Sequence, residues 1–130
     1  MWPKNHKTLI HVLIYCWVFF IFILCTWPIH TFPDTYWSFP YRDKIIHFGL
    51  FFLLSILILS SNTYKSGRKS VCLYIITILL SLIYGGLLEI MQHYFFHRKG
   101  DLEDLAADLL GSIAGCCCFF LIKQTQKKKN

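Results

Sequence analysis

The sequence predicts an all-α membrane protein of four transmembrane helices, with both termini in the cytoplasm. Three observations carry that expectation. The chain has 130 residues, 55% of them hydrophobic, and a mean hydropathy of +0.49. A soluble domain this small has too little interior to hide so much apolar surface. The apolar residues gather into four segments near the roughly 20-residue length a helix needs to cross the hydrocarbon. Nine of the 13 lysines and arginines, and none of the seven acidic residues, fall on one side of the resulting topology.

The first span covers about 9–27 and follows Lys4 and Lys7. Its apolar run is longer than that of a secretory signal peptide, and Thr26-Trp27-Pro28 makes a poor cleavage site, so the segment reads as a retained helix. The loop after it contains Pro28, Pro33 and Pro40 among Trp37, Phe39 and Tyr41. Prolines break helices and the aromatics suit an interface, so this loop is expected on the membrane surface.

The second span covers about 43–60, its apolar part from Ile45 extended N-terminally through Asp43. The polar stretch Ser61–Ser70, with Gly67, is a turn that carries Lys65, Arg68 and Lys69. The third span covers about 71–91. A charged loop, His93–Asp104, leads to the fourth span at about 102–122. A lysine-rich tail follows, with Lys123, Lys127, Lys128 and Lys129. No internal repeat interrupts this single domain, 1–130.

Lysine and arginine are retained on the cytoplasmic side of membranes. The basic termini and the 61–70 turn therefore lie inside, and the 28–42 and 93–104 loops lie outside. The outer side holds Asp34, Asp43, Glu89, Asp101, Glu103, Asp104 and Asp108 against Arg42, Lys44, Arg98 and Lys99. The net charge of +6 thus reflects topology, and nucleic acid is excluded as a partner. The expected partner is membrane lipid.

Six cysteines sit within spans or at their cytoplasmic ends, where no exported disulfide framework is expected. Consecutive helical residues point about 100° apart, so Cys116, Cys117 and Cys118 cannot share one metal ion. They read as small apolar fillers.

A carboxylate near the hydrocarbon is costly, about 2.5–3.5 kcal/mol at a helix centre on insertion scales. Such groups are kept when they are paired, bind an ion or do chemistry. Asp43 and His47 are four apart on one face of span two. Ser81, Gly85, Glu89 and Gln92 share a face of span three, with Glu89 inside the apolar boundary. Asp101, Asp104 and Asp108 follow helical spacing into span four. Arg98 is the natural bidentate partner for one of these carboxylates. Asp34 and Glu103 read as ordinary surface charges. Ala107, Gly111 and Gly115 form a small-residue stripe that lets another helix approach closely. The expected outward-facing polar pocket therefore comprises Asp43, Lys44, His47, Glu89, Gln92, Arg98, Asp101, Asp104 and Asp108.

Asp43-Lys44-x-x-His47-Phe48, Gly85-x-x-x-Glu89-x-x-Gln92, then Arg98, Asp101, Asp104 and Gly111-x-x-x-Gly115 together resemble the VanZ-like family. The resemblance covers about Asp43–Gly115, and its specificity lies in the order and spacing of the pieces. It implies a small integral membrane protein of the bacterial cell envelope, in the inner membrane. The family's namesake is associated with low-level teicoplanin resistance, so the resemblance implies a link to glycopeptide sensitivity. The family usually has Asn where this chain has Asp108.

Three readings of the polar residues stand open. The leading one is a non-enzymatic pocket that binds a lipid head group or a lipid-linked envelope precursor. The second is an intramembrane metal-dependent or acid–base hydrolase or transferase acting on such a precursor. In it His47, Glu89 and Asp104 are the candidate catalytic groups. The third is a transport or proton path, which the apolar inner halves of the spans, broken mainly by Ser55, Thr77 and Ser81, disfavour. Sequence leaves cofactor, metal and oligomeric state open.

Overall fold

The computed structural model describes residues 4–27, 41–61, 68–96 and 101–129. They form four α-helices: α1 (Lys4–Thr26), α2 (Arg42–Ser61), α3 (Arg68–Phe95) and α4 (Leu102–Lys129). Each holds a stretch long and apolar enough to cross a membrane, with hydropathies of 2.0 to 2.5 over those stretches. The expected surface loop with Trp37 and Phe39, the Gly67 turn and Arg98 lie outside the described residues.

The helices are longer than the apolar segments that announce them. α1 begins at Lys4, α3 continues to Phe95 and α4 to Lys129. Polar residues such as Lys and Gln are good helix formers, so a helix begun in lipid continues past the hydrocarbon boundary. Hydropathy marks where a helix is apolar, not where it stops.

The closest packing is between α2 and α4. Its cause is the small-residue stripe, since Ala107, Gly111 and Gly115 are all buried. A Cβ at Gly111 would collide with the backbone carbonyl of Phe48, and one at Gly115 would stand 2.5 Å from the Phe52 carbonyl oxygen. Glycine thus sets the distance between the two helices. Within the interface, Ser55 Oγ and Ser112 Oγ are 2.8 Å apart and share a hydrogen bond.

α1 packs on α2 and α3 through Ile21, Cys25, Leu50, Phe51, Leu54 and Leu88. Two polar clasps hold it there. Trp17 Nε1 donates to the Leu50 carbonyl at 3.0 Å, and the Tyr84 hydroxyl donates to the Val18 carbonyl at 2.7 Å. In hydrocarbon these donors have no water to turn to, so a partner on a neighbouring helix is worth more than area alone suggests.

The burial pattern reverses that of a soluble protein. Tyr15, Phe19, Val71, Ile83, Leu110 and Leu121 are exposed, while His47, Ser55, Glu89, Gln92, Asp104, Asp108 and Ser112 are buried. Large apolar side chains outside and polar ones inside suit a bundle whose solvent is lipid. The chain is a multi-pass membrane protein with lipid-contacting helices.

Candidate functional site

The C-terminal ends of α1 and α3 meet the N-terminal ends of α2 and α4 at one end of the bundle. Hydrogen bonds across that end fix the arrangement. Gln92 Nε2 donates to the Cys25 carbonyl at 2.7 Å, and the Asp101 N–H donates to Glu89 Oε2 at 2.9 Å.

Asp101 caps α4. Its Oδ1 accepts the Glu103 N–H at 2.9 Å, and its carbonyl accepts the N–H groups of Asp104 and Leu105. This satisfies donors that a helix N-terminus leaves free. The Glu103 N–H, and after it the Lys44 ammonium, hold the Asp101 carboxyl below the usual carboxylate range.

Lys44 bridges α2 to this cap. Its Nζ lies 2.9 Å from Asp101 Oδ2, 3.0 Å from Glu103 Oε2 and 3.4 Å from Asp104 Oδ1. Glu103, read from sequence as a plain surface charge, is thus part of the rim. Among the described residues, Lys44 takes the role expected of Arg98.

One turn deeper, His47 Nδ1 and Asp108 Oδ1 are 2.9 Å apart, both side chains buried. Beside an ionised carboxylate, which only accepts, Nδ1 is the protonated donor, and in the neutral ring Nε2 keeps its lone pair. Cys25 Sγ stands 3.9 Å from Nε2. The sequence reading treats Cys25 as filler; its one available signal is a position near the C-terminal end of span one, level with the polar cluster. Asp108 fits because residue 85 is glycine: a Cβ there would come within 2.5 Å of Asp108 Oδ2.

His47, Glu89 and Asp104 converge. Each offers one donor atom, and the three atoms lie within 4.8 Å of one another, all on buried residues from three different helices. Among the described residues, Glu89 Oε1 and Asp108 Oδ2 are buried with no hydrogen-bond partner. The arrangement is rich in acceptors and buried between helices. It suits a ligand that brings positive charge or hydrogen-bond donors.

Asp43 is half-exposed in the first turn of α2. Gln92 is buried and spends its amide on the end of α1. The three consecutive cysteines diverge as expected, with Cys116 buried, Cys117 exposed and Cys118 between. A separate apolar groove between α3 and α4, lined by Tyr74, Ile78, Cys116 and Phe120, carries none of this chemistry.

No family model matches the chain. An uncharacterized protein of Schizosaccharomyces pombe is 36% identical over 73 residues, a stretch covering 55% of this chain and 43% of the fungal one. The match thus spans less than half the length of that relative. No solved structure matches.

Proposed function

We propose that this chain is a VanZ-like membrane protein whose polar centre, at the outward ends of α2, α3 and α4, is a ligand-binding site. The observation that carries this reading is a pair of buried carboxylate oxygens, Glu89 Oε1 and Asp108 Oδ2, which have no partner among the described residues; Ser81 Oγ is the third such oxygen. An acceptor left unpaired in low dielectric costs about 1–3 kcal/mol, more if charged. A purely structural network has no reason to keep two. Further support comes from the residues behind the resemblance: Lys44, His47, Glu89, Asp101 and Asp104 are distant in sequence and adjacent in space.

The ligand class follows from the donor-poor centre. It is a cation, or the amine and hydroxyl groups of a lipid head group or lipid-linked envelope precursor. Similarity to a fungal sequence favours defining the ligand by this chemistry rather than by a component of bacterial walls. The bacterial inner membrane and a link to teicoplanin sensitivity remain expectations of the resemblance. A drop in teicoplanin tolerance on deleting the gene from a bacterial host supports that link, and unchanged tolerance removes it.

The His47–Asp108 pair favours a second reading, an intramembrane hydrolase or transferase, because a carboxylate-oriented imidazole is a competent general base.

Native mass spectrometry of the full chain in mild detergent tests the binding reading. The wild type is expected to carry a lipid or ion that folded Glu89→Gln lacks. A wild type carrying nothing beyond detergent, or an unchanged complement in the variant, contradicts it.

A further inference from the structure

We propose that His47, Glu89 and Asp104 form a site for a first-row divalent metal ion, and that Asp108 is the residue positioning the His47 ring. This rests on the ligand-binding reading above and names its ligand.

Geometry comes first. Ligands about 2.1 Å from one tetrahedral ion stand about 3.4 Å apart. The three donor atoms lie within 4.8 Å of one another, so the widest pair must close by about 1.4 Å at most. The donors come from α2, α3 and α4, so an ion would tie three spans together.

The second observation is independent of spacing. Glu89 is 9% exposed, its Oε2 is held by the Asp101 N–H, and its Oε1 is buried with no partner among the described residues. One oxygen is thus positioned by the backbone while the other is unused. An ion supplies the partner that Oε1 lacks.

The third is the Asp108–His47 pair. Metal-binding imidazoles almost always donate their other N–H to a carboxylate or carbonyl, which fixes the tautomer and strengthens the ligand. Asp108 accepts from Nδ1 in that way. In the neutral ring Nε2, with Cys25 Sγ 3.9 Å away, is then the nitrogen open to a cation. An Asn at this position would still accept the hydrogen bond but without the charge that raises imidazole basicity.

Charge distribution agrees. Lys44 stands closer to Asp101 and Glu103 than to Asp104. His47 faces Asp108. Glu89 has no cation within ion-pair distance among the described residues, and Asp104 has only its share of Lys44. A divalent ion neutralises both. One nitrogen and two oxygen donors favour zinc, manganese or iron over calcium, and three protein ligands leave a coordination position for water or a polar substrate group.

The test uses the full chain in mild detergent, stripped with a chelator and reloaded with Zn2+ or Co2+. About one ion per chain is expected after desalting. Co2+ should give visible d–d absorption without a thiolate charge-transfer band. Glu89→Gln and Asp104→Asn, each monodisperse by size exclusion, should lose the ion, and Asp108→Asn should weaken binding about 10–100-fold. A wild type that retains no ion overturns the proposal, as does a folded Glu89→Gln that retains one. A thiolate band places the ion on cysteine and also overturns it. The wild-type spectrum decides even if a variant fails to fold. Bound lipid without metal sinks the metal site and leaves the ligand-binding reading standing; absence of both sinks both.

Discussion

Asp108 Oδ1 lies 2.9 Å from His47 Nδ1, and neither side chain reaches solvent. One residue comes from α2 and the other from α4, the two helices that pack most closely. Glycine makes the contact possible from two directions. Gly111 lets α4 approach the Phe48 backbone, and Gly85 leaves room for the Asp108 carboxylate.

Replacing Asp108 separates its hydrogen bond from its charge. Asp108→Asn keeps an acceptor for His47 Nδ1 and is expected to unfold within about 1 kcal/mol of wild type. Asp108→Ala leaves the imidazole N–H buried and unpaired, at a cost of about 1–3 kcal/mol. Thermal unfolding of the metal-free protein in one detergent measures both. Equal losses for Asn and Ala would show that His47 does not depend on this bond.

Two glycines on facing helices should respond with opposite signs. Gly111→Ala drives a Cβ into the Phe48 carbonyl, overpacking worth about 1–3 kcal/mol. A Cβ at Gly49 meets nothing within 4 Å, so Gly49→Ala gains helix propensity of up to about 1 kcal/mol. Unfolding temperatures should fall for the first and hold or rise for the second. A tolerated Gly111→Ala would mean that the α2–α4 distance is wider than described.

The Asp101 cap carries a pH dependence. Its carboxyl is held below the usual range by the Glu103 N–H and then by Lys44. Its pKa is therefore lower folded than unfolded. That contribution is complete above the ordinary carboxylate range and is lost as pH falls through the lowered folded value. Asn also caps helices. The stability gap between wild type and Asp101→Asn should hold constant near neutrality and close in acid below about pH 4. A gap that widens in acid reverses the assigned sign.

Topology follows from charge. A reporter fused after Asn130 should be active in the cytoplasm, as should one in the 62–67 turn. Activity on the outer side would invert the molecule and place the polar centre at the cytoplasmic face.

What could be read in one dimension follows from the physics of each signal. Hydropathy locates the four spans because a lipid-facing helix is apolar all round. It misses the helix ends at Phe95 and Lys129, the second reached through a run of Gln and Lys. The three- and four-residue spacing of Glu89, Asp104 and Asp108 places them on inward faces, since polar groups avoid lipid. The same spacing puts Gln92 on that face but does not show which neighbour covers it. Cys25 and Glu103 escape for a related reason. Their roles come from the register of α1 against α2 and of the α4 start against Lys44, which no single helix encodes.

The central claim is that Glu89 is kept for a ligand rather than for packing. The most direct measurement is the unfolding temperature of chelator-treated, delipidated wild type against Glu89→Gln. Gln keeps the size and an acceptor for the Asp101 N–H, and it removes a buried charge whose Oε1 has no partner among the described residues. The account predicts that the ligand-free variant unfolds at the same temperature as wild type or higher, as expected where function is retained at the expense of stability. A variant that unfolds several degrees lower, or fails to accumulate in the membrane, would make Glu89 a structural residue and contradict the account.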